Sequence, residues 1–253
     1  MKPYDKFAYV YDRMGADEHS VKMTEYAFRI MRKFNIDADR LLDLCCGTGT
    51  ALKIFDEHGL NVAGLDGSAA MLKMARTKLK GKKIALHRQS LPSFKINPKN
   101  HPRKLQRFDL VSCFYDSLNY LKNQKQLLAA FRAVSRHLEP GGWFIFDMNT
   151  PEALKTIWGS QVYAGAEKNL AWIWRNDYSP ETQSAACRVT LFVKKGKGWR
   201  RYDECHIEYG YEFKDIKKLL RQAGFIVKGF YNCFTFNQPG KKTTRVCAVA
   251  RKK

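Results

Sequence analysis

The chain has 253 residues, 45% of them hydrophobic, and a formal net charge of +21. This suits one α/β domain carrying an insertion, with enough apolar content for a sizeable core. No apolar run of 18 residues and no N-terminal signal-like stretch is present, and the seven cysteines include no C-x-x-C pair. A membrane span, a secretory leader and a disulfide framework are therefore not expected; a cytoplasmic protein with reduced thiols is. The charge favours anionic partners, nucleic acid first among them. The basic residues are spread over 76–83, 95–107, 194–201, 214–221 and 241–253 rather than gathered, which weakens that signal and favours a solvated lysine-rich surface.

Tyr4, Phe7, Ala8, Val10 and Tyr11 fall on helical spacing, and Val21 to Phe34 continues as an amphipathic helix. Strands are expected at 40–45, 61–65, 83–88, 108–114 and 143–148, and helices at 50–58, 69–80 and 124–138. Such alternation predicts a mainly parallel sheet covered on both faces, with ligands at the carboxyl ends of its strands. Asp43, Asp66, Ser90, Phe114 and Asp147 all stand at such ends, and Ser68 suits the N-cap of the helix that follows.

The first of these strands leads into Cys45-Cys46-Gly47-Thr48-Gly49-Thr50, a glycine turn before a helix. Gly47 and Gly49 leave backbone open to a ligand, and the helix start offers free N–H groups to an anionic group. No Gly-Lys-Ser/Thr follows, which excludes a phosphate-binding P-loop. Leu52 stands where the dinucleotide fingerprint has its last glycine, so only half of that pattern is present. Asp66 ends the second strand, where a carboxylate grips a ribose diol. The adjacent Cys45 and Cys46 are expected to pack the turn rather than to carry redox or metal chemistry.

Four motifs in order resemble the class I S-adenosylmethionine-dependent methyltransferases. They are Asp43-Leu-Cys-Cys-Gly-Thr-Gly, Gly64-Leu-Asp-Gly-Ser68, Phe108-Asp-Leu-Val-Ser-Cys-Phe114 and Pro140-Gly-Gly-Trp-Phe-Ile-Phe-Asp147. The similarity is to members acting on small molecules, of the aminosugar and glycine N-methyltransferase type. It implies a Rossmann-like, mostly parallel seven-stranded sheet with helices on both faces and an antiparallel last strand. It implies S-adenosylmethionine as methyl donor and S-adenosylhomocysteine as product. Asp43 would support the turn or the donor's amino group, the Gly47–Gly49 turn would admit its amino-acid tail, and Ser90 and Leu91 would flank adenine. Cys45, Ser68 and Phe114 complete the expected cofactor contacts. Two departures stand out: Cys45 replaces the family's first glycine, and Ser90 replaces a frequent acid. Tyr4 to Asp12 resembles the segment that closes over the cofactor in small-substrate members, which brings Tyr11 into the expected site.

Polar residues follow the fourth strand, where a substrate would sit, so Asp116, Asn119 and Tyr120 are expected to contact it. A histidine stands near the place of Tyr120 in similar aminosugar enzymes. A tyrosine, with an ordinary pKa of about 10, is a weaker base there but still orients a substrate. Lys95 to Arg107 reads as a basic surface loop without the interleaved aromatic residues of single-strand RNA binders. Residues 160–209 break the alternation into four antiparallel strands at 163–165, 171–178, 185–195 and 199–209. In the family such an insert caps the active site. Trp172, Ile173, Trp174, Phe192 and Trp199 are expected mostly to pack, and Arg175, Arg188 and His206 are candidates to point inward. A helix over Phe213–Gln222, stopped by Gly224, and strands at 225–231 and 244–250 close the chain.

The expectation is one methyltransferase domain over 1–253: an N-terminal helical lid (1–38), a core (39–158 and 210–253) and a β cap (159–209). It would methylate a small molecule at N or O by direct in-line transfer, without a metal, since no His/Cys/Asp cluster has ligand spacing. The alternatives are a tRNA or rRNA methyltransferase using the basic surface, and a non-catalytic S-adenosylmethionine-binding protein. No membrane partner is expected, and the oligomeric state is open.

Overall fold

The computed structural model describes residues 4–96 and 107–253. Most of the basic loop expected over Lys95–Arg107 lies outside the described residues.

Seven strands form the main sheet: β1 (Arg40–Leu44), β2 (Asn61–Asp66), β3 (Ala85–Arg88), β4 (Phe108–Cys113), β5 (Leu138–Asn149), β10 (Phe225–Asn232) and β11 (Arg245–Lys252). Their spatial order is β10-β11-β5-β4-β1-β2-β3. β1 pairs in parallel with both β2 and β4, whereas β11 runs antiparallel to β5 and β10. The chain steps outward from β1 through β2 to β3, then returns to the other side of β1 with β4. This reversal opens a crevice at the carboxyl ends of β1 and β4, where an open α/β sheet binds its ligand.

Alternation along β1 feeds two cores. Leu41 packs in one cluster with Met23, Tyr26 and Phe55 from α1 (Glu18–Phe34) and α2 (Thr50–Glu57), joined by Leu72 and Ala75 of α3 (Ala69–Lys78). Leu42 and Leu44 join Phe131 and Val134 of α4 (Gln124–His137) in the other. A short α5 (Pro151–Ala153) and a π turn (Leu154–Trp158) lead away from β5, and α6 (Phe213–Gln222) leads back into β10. Ser68 caps α3 by accepting from the Met71 N–H at 3.2 Å, and Gly224, with φ +88°, ends α6.

A second sheet is a four-stranded antiparallel meander of β6 (Val162–Glu167), β7 (Leu170–Ser179), β8 (Ser184–Lys195) and β9 (Gly198–Tyr209). Leu170, Cys187, Val189 and Leu191 cover Phe7, Ala8, Val10 and Tyr11, which rest on Ala70 and Met71 of α3. The N-terminal segment is thus held between the cap sheet and the core.

Several local expectations change. The helical spacing at the N-terminus resolves into two single 3-10 turns, Phe7–Tyr9 and Asp12–Met14. Gly15 at φ +68° ends the second, and a side chain takes the Lys6 and Phe7 N–H groups at the start of the first. β5 begins at Leu138, five residues earlier than its apolar run, because Gly141 at φ +78° lets the chain kink while pairing with β4 resumes at Trp143. Trp199 is 52% exposed rather than packed. No described helix is long and apolar enough to cross a membrane.

Candidate active site

Where β1 ends, the backbone turns through left-handed conformations at Cys45 (φ +54°), Gly47 (+54°) and Gly49 (+83°). Glycine adopts these freely; for Cys45 the same conformation costs about 1–2 kcal/mol. The turn therefore takes at Cys45 a conformation that glycine would adopt freely. A Cβ built on Gly47 would meet no heavy atom within 4 Å, so internal packing does not demand a glycine there. The space it leaves belongs to a cavity of about 630 Å3, within the ~300–1,000 Å3 range of small-molecule and cofactor sites.

Asp66 ties this turn to the end of β2. Its carboxylate accepts from the Gly47 N–H at 2.9 Å and the Ser68 N–H at 2.7 Å. Burial raises its pKa, and those two donors oppose the rise. Asp43 lies deeper on the same wall and accepts from the Ser112 hydroxyl at 2.7 Å. Burial pushes its carboxyl up to about 7, with the Ser112 hydrogen bond pulling down and the nearby Asp66 charge pushing up. Ser90 and Leu91 follow β3 and line the same cavity, and a Cβ on Gly67 would fall 2.4 Å from Ser90 Oγ, so glycine lets these two loops approach. Cys45, Ser68, Phe114, Tyr11 and Tyr120 complete the expected residues that line this space.

A smaller chamber of about 70 Å3 adjoins it, sharing Tyr4, Tyr11, Tyr115 and Tyr120. Its wall adds Asp116 and Glu208, with Trp158, Trp174 and His206 from the π turn and the cap. Tyr115 (φ +58°) and Asp116 (φ +50°) form a strained pair after β4. Buried Asp147 holds the pair by accepting from their N–H groups at 2.7 and 3.4 Å. Arg245 from β11 bridges Asp147 and Asp116, the latter at 2.9 Å. Burial would raise the Asp147 carboxyl, but Arg245 and His19 outweigh it and hold the pKa below the usual range. Asn149 donates to Asp116 at 2.5 Å and to Glu208 at 2.8 Å. Burial, then the Asp116 charge, pushes Glu208 well above a normal carboxylate.

Tyr120 Oη lies 2.9 Å from Tyr4 Oη and 2.9 Å from His206 Nδ1. Glu204 lies behind the histidine, 3.5 Å from Nε2, which has no closer partner. The same carboxylate accepts from the N–H groups of Tyr4, Lys6 and Phe7 at 2.6, 2.6 and 3.0 Å.

Four residues expected in or near the site are elsewhere. Asn119 is fully buried, and its amide is spent on main chain. It donates to the Asn149 and Tyr209 carbonyls and accepts from the Asn149 N–H, so it braces the chamber from behind. Gly49 faces α3, where a Cβ would approach Leu79 and Ala75 at 3.1 and 3.3 Å. Arg175 and Arg188 lie on the outer face of the cap, and Arg188 pairs there with Asp177. His206, on the inner face, does reach the chamber.

Glu204, Glu208 and Arg245 were not singled out from sequence. The available signal was the period of β9. Glu204, His206 and Glu208 share one buried face, while Cys205 and Ile207 are exposed, an inversion of the usual apolar-in pattern. Among the described residues, no group of three or more His, Cys, Asp or Glu side chains is placed to hold a metal ion.

Comparisons with known proteins agree with this architecture. A family profile described as "Methyltransferase domain" matches residues 41–142. The crystal structure of an S-adenosylmethionine-dependent methyltransferase from Clostridium acetobutylicum ATCC 824 is 29% identical, with a TM-score of 0.85 over 99% of each chain. YqeM of Bacillus subtilis (strain 168), provisionally named as a methyltransferase, is 26% identical over 98% of this chain and 97% of its own. A dTDP-3-amino-3,4,6-trideoxy-α-D-glucopyranose N,N-dimethyltransferase from Streptomyces venezuelae is 29% identical over 79% of this chain and 80% of its own.

Proposed function

We propose, from the premise that the chain is an S-adenosylmethionine-dependent methyltransferase, that it methylates the nitrogen of a small amine held in the lesser chamber. One observation carries this reading. The walls of the two chambers present Asp5, Asp43, Asp66, Asp116 and Glu208, and among the described residues Arg88 is the only lysine or arginine there. A protein of net charge +21 thus lines this space with five carboxyl groups and one guanidinium. Even with Glu208 and Asp43 raised by burial and Asp116 bridged by Arg245, this lining favours a cationic donor and an ammonium acceptor over the phosphates of a nucleic acid.

The residues present suit the donor. Asp66 holds the ribose hydroxyls with the lone pairs left free by Gly47 and Ser68. Asp43 offers negative charge to the amino group, directly or through the turn. Open Gly47 admits the amino-acid tail, and Ser90, Leu91 and Phe114 flank the base. Bound S-adenosylmethionine supplies an electrophilic methyl carbon on a sulfonium, so the protein's task is to align a nucleophile and exclude water. Asp116, Glu208 and the surrounding aromatic rings hold the acceptor. The dimethyltransferase from Streptomyces venezuelae, named for an amino sugar, supports an amine as the acceptor class.

The test is transfer of isotope-labelled methyl to glycine, ethanolamine, glucosamine and a dTDP-linked amino sugar, beside tRNA and rRNA transcripts. Label in an amine is expected. Label confined to RNA would overturn the reading.

A further inference from the structure

We propose that Tyr120, His206 and Glu204 form a proton relay that deprotonates the acceptor ammonium, and that closure of the N-terminal segment completes it. The proposal rests on the amine reading above. An ammonium has no lone pair and cannot accept a methyl group until it loses a proton. Tyr120 is the hydroxyl common to both chambers and to the histidine. Alone it is a poor base, since burial, then the Glu208 charge, pushes its pKa well above the ordinary value.

One assignment of protons satisfies the whole chain of contacts. Tyr4 donates to Tyr120, Tyr120 donates to His206 Nδ1, and Nε2 carries its hydrogen toward Glu204. Glu204 is suited to the far end. Burial would raise its carboxyl, but His206 and the N–H groups of Lys6, Phe7 and Tyr4 outweigh this and keep it ionised. In the step, the N–H bond of the ammonium breaks and its proton bonds to Tyr120 Oη. The phenolic O–H bond breaks in the same movement, and that proton bonds to Nδ1. The electron pair stays on the acceptor nitrogen as the lone pair required for methyl transfer. The imidazolium faces Glu204 and returns its proton to water when the segment opens. The arrangement follows the logic of a hydroxyl–histidine–carboxylate triad, here with a phenol and with its parts drawn from the 3-10 turn Ser117–Tyr120 and from β9.

Tyr4 makes the relay conditional. Its N–H binds Glu204 Oε2 and its hydroxyl binds Tyr120, so one residue of the segment touches both ends. The other titratable groups facing the dyad are Tyr11, Tyr115, Asp116, Cys187 and Glu208. Tyr120 meets the acceptor and is catalytic; His206 and Glu204 act through it as positioning residues.

The test is His206→Asn in the full chain, which leaves a hydrogen-bond acceptor near Nδ1 but no ring to protonate. With the amine found by label transfer, kcat should fall roughly 100-fold. Both KM values should stay within about threefold of wild type, and the acidic limb of the kcat profile should flatten. Unchanged kcat with its limb intact overturns the relay, as does a loss carried by KM instead. A second readout needs no turnover. In nitrogen NMR, the His206 signal, identified by its absence in His206→Asn, should show an unprotonated Nδ1 whose shift moves in Tyr120→Phe. A shift indifferent to Tyr120→Phe overturns the relay. If wild type methylates none of the amines, the acceptor reading fails and the NMR result decides the relay alone.

Discussion

The Tyr4 N–H donates to Glu204 at 2.6 Å although the two residues stand 200 positions apart. With the Lys6 and Phe7 N–H groups on the other oxygen, one carboxylate of the cap holds the N-terminal segment against both chambers. Three N–H groups that a helix starting here would leave without an internal acceptor are satisfied by this one side chain, and Gly15 at φ +68° closes the segment after two short turns.

Glu204→Gln should release this segment. The amide replaces one accepting oxygen with a donor aimed at main-chain N–H groups. Each charge-assisted bond lost is worth about 1.5–3 kcal/mol. Hydrogen exchange over residues 4–14 should accelerate at least tenfold while the main sheet is unaffected; equal protection in both proteins would contradict the assignment. The depressed Glu204 pKa sets the pH dependence in wild type. The latch is present above the ordinary carboxyl value and is lost as pH falls through the lowered one.

Asp66→Ala should weaken S-adenosylmethionine binding roughly 10- to 100-fold by calorimetry, the range expected for charge-assisted hydrogen bonds from a carboxylate. Affinity within a factor of two of wild type would remove Asp66 from the ribose.

Donor affinity should depend on pH through Asp43, whose carboxyl is raised to about 7. The free protein holds the proton below that value, whereas a bound cation favours the carboxylate. Binding is therefore weaker in acid, strengthens as pH rises toward about 7 and levels off above it, with proton release on binding at the acid end. Asp43→Asn should abolish the dependence. Calorimetry in buffers of different ionisation enthalpy measures the released protons directly.

Arg245→Ala should be severely destabilising. It leaves Asp147 and Asp116 buried without their common cation, and breaking a buried pair costs about 3–5 kcal/mol. Denaturant unfolding should show that loss. Arg245→Lys should recover only part of it, since an ammonium lacks the planar fork that spans two carboxylates.

The half of the cavity proposed for the donor was legible in the sequence because its parts are consecutive. A strand, a glycine turn and a helix start write Asp43, Gly47 and Asp66 in two short motifs, and apolar runs mark the strands on either side. The acceptor half is written in no such order. Asp116, Glu208 and Arg245 come from the end of β4, from β9 and from β11, and meet only because the sheet order and the cap bring them together. Asn119 misled for a related reason. A polar side chain after a strand reads the same whether it faces a substrate or satisfies buried carbonyls, as this one does. Gly49 likewise shares a motif with Gly47 yet serves helix packing. His206 was visible only as one of three candidates on the insert, and strand parity separates it from Arg175 and Arg188.

The carboxylates along the two walls also bear on how a catalytic cycle ends. Methyl transfer turns a sulfonium into an uncharged thioether, so the spent nucleoside keeps its amino group and ribose but loses the attraction at sulfur. An acid-lined hollow in a chain of net charge +21 thereby favours the sulfonium over the thioether. That difference in charge at sulfur would favour exchange of one for the other when the segment opens.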